Sequence, residues 1–289
     1  MNLPKKEVKS FYFLYHSLLK YVNDKFNFKK MPDNLFKADI ADLWKLKEKL
    51  YDNPQIIDEY LEKNPQNLSK NHLKIIESWK GFIREDFVVV KYLKKYTIFL
   101  ELKDPPRAYG VLGLESDFEE LFGPPPVMVK TVLLPFKDHI IVDGLFQRYP
   151  IMFGGNYRKS INHEYQEAKF TFGIIESLPF DKKKKLPSTK EKLKFYLKNE
   201  RNRFTYEEEI SELISKDPQL LVLFHQEMGK ISARKTGRYL RERGLSLGWF
   251  AILEDMVIGS GLKKADLKKT MEALVPPDKR NFIYYFQLK

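Results

Sequence analysis

The stretch "VMVKTVLLPFKDHIIVDGLF", residues 127–146, decides the fold of the central part of this chain. Two runs of β-branched and aliphatic residues flank the polar pair Lys137-Asp138. Such a pattern is typical of two antiparallel strands joined by a tight turn. We therefore predict a β-hairpin with strands near 127–135 and 139–146.

Three more strands are predicted upstream of this hairpin. In "YTIFLEL" (96–102) the side chains alternate with the period of two that a half-buried strand requires. The same reasoning places strands near 87–93 and 108–114, and a short capped helix in "SDFEELFGPPP" (116–126) separates them from the hairpin. Five strands with short connections predict an antiparallel meander that curls into a small barrel.

The segments on either side of the strands have a helical period. Residues 1–86 predict about four short helices, the first with apolar residues three and four apart. Lysines before an apolar stretch give this first helix a superficial likeness to a secretory signal, but His16 and Lys20 interrupt the stretch and no small-residue cleavage site follows. We interpret it as an amphipathic helix.

The last third of the chain is expected to be a separate helical module. The run "DKKKKLPST" (181–189) marks its start, because four successive lysines repel one another. Ser188 with Glu191, and Thr205 with Glu208, match the capping-box pattern of helix starts. The predicted fold is therefore α+β in three parts: an N-terminal helical bundle (1–86), a five-stranded antiparallel β meander or small barrel with a trailing helix (87–180), and a basic C-terminal helical module (181–289).

Charge is distributed unevenly along the chain. The 289 residues carry 51 basic and 39 acidic side chains, a net charge of +12. Residues 1–86 hold +3, residues 87–180 hold 0 and residues 181–289 hold +9, from 24 basic and 15 acidic side chains. A concentrated positive charge favours an acidic partner such as nucleic acid.

Composition also excludes several classes of protein. The chain has no cysteine, which rules out disulfides, thiolate metal sites and a cysteine nucleophile and favours a reducing cytoplasm. The sequence contains no run of about 18 apolar residues, so we predict no membrane span. The five histidines never fall at the i, i+4 spacing of a helical metal site, so we predict neither a metal nor a cofactor.

Five segments carry a recurring pattern: "NPQNLSKNHLKIIESWK" (64–80), "VVKYLKKYTIFL" (89–100), "YGVLGL" (109–114), "VLLPFKDHIIVDGL" (132–145) and "IMFGGNYRKS" (151–160). This pattern resembles that of a family of uncharacterised bacterial proteins. The resemblance covers roughly residues 50–180, and the block "VLLPF…IIVDGL…IMFGG" is its most specific part. It implies no activity, cofactor or catalytic residue, and the C-terminal third lies outside it.

A paired glycine in "IMFGGNYRKSINHEY" (151–165) is one candidate site. Backbone N–H groups in a glycine-rich turn before a helix form an anion-binding concavity, which Arg158 and Lys159 would strengthen around Gly154 and Gly155. Neither G-x-x-x-x-G-K-[ST] nor G-x-G-x-x-G is present, so no nucleotide fold is indicated. The alternative interpretation is a tight turn that needs positive φ.

A set of carboxylates in the β module is a second candidate. Asp143, Glu115 and Asp117 could split their pKa values for acid–base work if the fold brought two of them close. Capping and turn roles explain Glu115 and Asp117 more simply.

A basic helix in "SARKTGRYLRERG" (232–244) is the third candidate. Arg234, Arg238 and Arg241 share one helical face beside Lys235, and planar guanidinium groups suit phosphates. The preceding lysine run would add non-specific attraction through Lys182, Lys183, Lys184 and Lys185. The alternative interpretation of this helix is a charged face that is merely solvated. The aromatic tail "FIYYF" (282–286) could stack on bases, or it could be a strand or helix that closes the core.

The sequence therefore predicts a cytoplasmic protein, more consistent with a non-enzymatic role, whose basic module contacts nucleic acid, with RNA as one option, or another polyanion. A protein-interaction or regulatory scaffold built on the neutral β module is the alternative. An enzyme acting on a phosphorylated small molecule at the glycine pair is a weaker one.

Overall fold

The computed structural model describes residues 1–28, 32, 37–180 and 186–289. Contacts between Cα atoms divide the chain into two compact units, Met1–Lys185 and Leu186–Lys289, here called unit 1 and unit 2. The lysine run Lys182–Lys185 falls outside the described residues. Among the helices of the described ranges, none combines the length and apolar character needed to cross a membrane.

Unit 1 begins with four helices that pack on a β-sheet. They are α1 (Lys5–Phe26), α2 (Ile40–Asp52), α3 (Gln55–Lys63) and α4 (Lys70–Ser78), and a 3-10 turn follows at Trp79–Gly81. Side-chain caps start two of them: the Asp39 carboxylate accepts the N–H of Ala41 at 2.7 Å, and the Ser69 hydroxyl accepts that of His72 at 3.4 Å. The prediction that this region is helical is therefore confirmed.

The strands and later helices of unit 1 follow in the predicted order. They are β1 (Ile83–Tyr92), β2 (Thr97–Glu101), β3 (Arg107–Leu112), α5 (Phe118–Phe122), β4 (Val127–Phe136), β5 (His139–Arg148), α6 (Gly155–Thr171) and β6 (Ile174–Ile175). The hairpin prediction is confirmed, because β4 and β5 pair antiparallel up to Phe136 and His139.

The sheet topology differs from the predicted meander. β1 pairs with β2 and β4, β4 pairs with β5, and β3 pairs with both β5 and β2, so five strands close into a ring. β3 lies parallel to β5 and to the sixth strand, β6. The sheet is thus mixed and six-stranded, and the prediction of five antiparallel strands is wrong. The reason is that the connection through α5 carries the chain past β3 to β1.

The barrel has apolar side chains on both of its faces. Phe87, Val89 and Tyr109 belong to the main core, which α1–α4 share and which α5 closes with Phe118 and Phe122. The alternate residues point outward, where α6 covers them in a second cluster made of Val88, Ile98, Leu100 and Ala108 with Ile161, Tyr165 and Ala168. Because both faces are covered, every residue of β2 is buried.

Unit 2 contains four helices, a hairpin, another helix and a last strand. They are α7 (Thr189–Leu197), α8 (Glu200–Thr205), α9 (Glu207–Lys216), α10 (Pro218–Glu242), β7 (Gly248–Leu253), β8 (Met256–Gly261), α11 (Lys264–Leu274) and β9 (Tyr284–Leu288). The Ser188–Glu191 capping box forms, whereas α9 starts at Tyr206 without a side-chain cap.

The prediction of a purely helical C-terminal module is wrong. β7, β8 and β9 form an antiparallel sheet in the order β8-β7-β9. The apolar run "LGWFAILEDMVI" (247–258) does not form a helix but reverses direction at Glu254 and Asp255, whose φ values are 47° and 68°. Positive φ at both central residues is the signature of the tight hairpin turn that short strands prefer.

Small residues hold α10 close to this sheet. Gly229, Ala233 and Gly237 recur every four residues and are buried. A Cβ atom at Gly229 would lie 2.4 Å from Cβ of Tyr284, so only glycine allows the helix to approach β9 this closely. The strand alternation places α11 on the other sheet face, where Leu267 and Met271 pack around Ala251.

Candidate nucleic-acid interface

The surface of α10 that the sheet leaves exposed is basic. Arg234, Lys235, Arg238 and Arg241 all lie in the exposed class. Within the described part of the chain, none of the four makes a salt bridge, and the ion pair of this helix joins Lys230 and Glu227 at 3.9 Å. No carboxylate oxygen of the described residues lies within 4.0 Å of these four cations, and the exposed Glu242 follows Arg238 by four residues in the same row.

Three of these cations lie in two adjacent rows on the helix surface, while Arg241 follows Gly237 by four residues and its Nη1 lies 3.9 Å from the position of a Cβ atom at Gly237. Arg234 and Arg238 are four residues apart in one row, and Lys235, Tyr239 and Arg243 follow at the same spacing in the next. At about 1.5 Å of rise per residue, Arg234 to Arg241 spans about 10 Å, the length of about three phosphates along one strand of a duplex.

The C-terminal end of α10 fixes the position of Arg243. Gly244, with φ of 86°, donates its N–H to the carbonyl of Arg241 at 3.0 Å, and Leu245 donates to that of Leu240 at 3.1 Å. This pair of bonds is a Schellman motif, which ends the helix. The Arg243 guanidinium then packs 3.3 Å from the centre of the Tyr239 ring.

A structural explanation covers only part of this basic face. Basic residues in the last turn of a helix stabilise it, because the C-terminal end carries partial negative charge. That argument applies to Arg241 and Arg243. It does not apply to Arg234, Lys235 and Arg238, which precede the last turn.

The excess positive charge of unit 2 does not depend on the lysine run. Residues 186–289 carry 20 basic and 14 acidic side chains, a net +6 without Lys182–Lys185. The basic face of α10 therefore lies in a module that is positive as a whole.

The glycine pair begins α6 without special backbone geometry. Gly154 is the N-cap, with φ of −68°, and Gly155 is the first helical residue. Neither has positive φ, and a Cβ atom at either position would meet no atom within 4 Å. The interpretation as a turn that needs positive φ is therefore wrong. Arg158 donates from Nε to the carbonyl of Phe153 at 3.0 Å, and Lys159 is exposed.

A cleft of about 570 Å³ lies beside this helix but excludes the basic pair. It opens between the β2–β3 connection and the α6 face that carries Tyr157 and Ile161. Its charged lining consists of Asp104, Glu164, Glu167 and Lys103, and Lys103 is already paired with Glu85 and with Glu101. The cleft is lined by three carboxylates and one lysine, so its net negative charge does not suit a phosphate.

Replacing Gly155 by alanine tests the absence of a backbone requirement. We expect the variant to be more stable than the wild type by about 0.4–1 kcal/mol, because alanine loses less chain entropy on folding and its Cβ has open space. Urea unfolding gives the value. A loss of stability would show that this position needs glycine after all.

Unit 1 contains a buried polar network, of which the sequence patterns identified only Asp143. Nζ of Lys47 lies 3.0 Å and 2.9 Å from the two carboxylate oxygens of Asp143, and donates to the carbonyl of Leu145 at 2.9 Å. Both charged side chains are 1% exposed. The ammonium also lies 4.4 Å from the centre of the Trp44 ring.

Two tyrosines complete this network. Tyr15 of α1 donates to Asp143 at 3.3 Å, and its hydroxyl lies 3.2 Å from that of Tyr51 of α2. Burial raises the pKa of Asp143, and the Lys47 ammonium opposes this shift. Burial also holds the pKa of both tyrosines well above the usual value. The network joins α1 and α2 to β5, so we assign it a structural role.

A bulge in β5 directs Asp143 into the network. The pairing of β4 with β5 shifts between Thr131 and Leu133, where Asp143, Gly144 and Leu145 stand opposite one residue. Bulges redirect side chains in this way.

The three carboxylates considered for acid–base work are not brought together as a pair. Asp143 is buried against Lys47, while Glu115 and Asp117 are exposed. Among the described residues, no three His, Cys, Asp or Glu side chains gather as a metal site requires.

Comparison of the chain with protein-family models, with curated proteins and with solved structures finds no match. The resemblance to the uncharacterised bacterial family therefore stays a prediction.

Proposed function

We propose that unit 2 binds the phosphate backbone of nucleic acid, RNA in particular, through the exposed face of α10. The observation that supports this proposal is a group of four exposed cations on α10, Arg234, Lys235, Arg238 and Arg241, that form no salt bridge with any described residue, while the helix is fixed against β9 at Gly229. Guanidinium groups form paired hydrogen bonds with phosphate oxygens, and their fixed spacing keeps several phosphates in register.

The barrel of unit 1 is a less suitable interface. Five-stranded Greek-key barrels often bind oligonucleotides on the face formed by strands two and three. In this protein α6 covers that face, with Ile161 and Tyr165 packed against Ile98 and Leu100. The arrangement favours α10 over the barrel as the contact surface.

Binding of labelled RNA and DNA at several salt concentrations tests the proposal. For a single strand, the logarithm of the association constant falls with the logarithm of salt by about 0.7 for each phosphate contact. Three to four contacts therefore give a slope of about −2 to −3. No binding at 50 mM salt, or an affinity that salt does not change, would reject nucleic-acid binding.

Protein interaction through unit 1 is the second candidate function. Around the cleft beside α6, Met152 is 97% exposed and Tyr157 is 70% exposed, and such large apolar side chains are frequent in protein interfaces. This function becomes the leading one if the titration fails. The cytoplasmic location, suggested by the lack of cysteine, belongs to either proposal.

A further inference from the structure

We infer that the basic face of α10 selects single-stranded nucleic acid and stacks an unpaired base on Tyr239. This inference rests on the proposed function, because it assigns a substrate class to the same site. It follows from one aromatic side chain set among the cations of that face.

The Tyr239 ring is held by contacts with Arg243. Arg243 covers one side of the ring at 3.3 Å from its centre and hydrogen bonds from Nη1 to the Tyr239 carbonyl at 3.4 Å. The helix end at Gly244 holds Arg243 in place. The ring is nevertheless 54% exposed, which leaves area for a second flat group.

The cations around Tyr239 suit a backbone that passes beside it. Lys235 precedes the tyrosine by one turn in the same row, and Arg238 lies in the adjacent row. A strand whose phosphates contact these cations brings its bases next to the ring. Alternating positive charge and aromatic surface is the pattern that binds single strands without strong sequence preference.

A duplex cannot use this platform. In a duplex the faces of the bases are covered by their neighbours, so only phosphates and groove edges are accessible to α10. A single strand offers unstacked bases, which proteins commonly place on tyrosine rings and guanidinium planes. The stacking contact therefore adds affinity for single strands alone.

The aromatic tail of the chain does not provide an equivalent surface. Tyr284, Tyr285 and Phe286 belong to β9, which lies between α10 and α11. Phe286 stacks on Phe250, with ring centres 5.3 Å apart. Of the two interpretations of "FIYYF", the structure shows the strand that closes a core.

The test compares full-length wild type with Tyr239→Ala on two fluorescein-labelled probes, a 12-nucleotide single-stranded RNA and a 12-base-pair RNA duplex. We expect Tyr239→Ala to weaken binding of the single strand by about 5- to 100-fold, the usual effect of losing one stacked base, and to change duplex binding by less than about twofold. Tyr239→Phe should keep most of the affinity. The salt dependence should stay unchanged, because stacking releases no counterions.

Phe204→Ala is the matched control, since Phe204 is 82% exposed in α8 but lies outside the basic rows. It should bind both probes like the wild type. Equal weakening on both probes, or no weakening on either, overturns the inference for Tyr239. If the wild type still binds both probes with a salt-dependent affinity, only the inference fails. If the wild type binds neither probe, the proposed function fails with it.

Discussion

Replacing Arg234, Arg238 and Arg241 together by glutamine is expected to lower the affinity for single-stranded RNA by about 10²-fold at 0.1 M salt. Each lost phosphate contact removes about 0.7 from the slope of the log–log salt plot, so three contacts remove about 2. Extrapolated from 1 M to 0.1 M salt, a slope change of 2 corresponds to two decades of affinity. Fluorescence anisotropy at four or more salt concentrations measures both quantities.

A matched control separates this local effect from the loss of overall charge. Lys194, Lys263 and Lys269 are exposed on other parts of unit 2 and lie outside the two rows of α10. Replacing these three by glutamine removes the same net charge. We expect a change of less than about threefold and a slope close to that of the wild type. Equal losses in the two triple variants would mean that α10 is not the contact surface.

Breaking the buried pair Lys47–Asp143 is expected to give the largest loss of stability in unit 1. Either Lys47→Met or Asp143→Asn leaves one charge at a fully buried position without its partner, and such changes typically cost about 3–5 kcal/mol. In the double variant neither charge remains. We therefore expect it to be less destabilised than the sum of the singles, by about 1–3 kcal/mol.

The measurement needs a signal that comes from unit 1 alone. Two of the three tryptophans, Trp44 and Trp79, lie in unit 1, so urea unfolding in a Trp249→Phe background reports on this unit by fluorescence. The exposed pair Lys95–Glu176 of unit 1 is the control, because Lys95→Met should change stability by less than about 0.5 kcal/mol. Additive effects of Lys47→Met and Asp143→Asn would contradict a direct interaction between them.

Local sequence patterns predicted the elements of unit 1 better than their arrangement. The β4–β5 hairpin could be predicted because its partners are adjacent and its turn is short. The parallel contact of β3 with β5 could not, because Val111 and Ile140 meet only after the chain has passed through α5 and β4. Alternation of side chains shows which faces are apolar, but it does not show which strand lies beside which.

The same distinction applies to the candidate site. Helical spacing was sufficient to place Arg234, Arg238 and Arg241 on one face, because all three belong to one helix. The contact of Arg243 with Tyr239 depends on a side-chain conformation that spacing does not define. Lys47 did carry a signal, since a lysine lies between Leu43 and Leu50 on an apolar helix face, but its partner Asp143 is 96 residues away.

Closure of the barrel also protects the chain against aggregation. Its most apolar runs are Phe87–Val90 in β1 and Val132–Phe136 in β4. Such segments with free backbone N–H and C=O groups would be templates for pairing with other molecules. Each of these two strands instead has neighbours on both sides, β2 and β4 for the first, β1 and β5 for the second. The ring therefore leaves neither strand as an open edge, and a substitution that separates β1 from β4 would expose both apolar runs and lower solubility before it altered any binding surface.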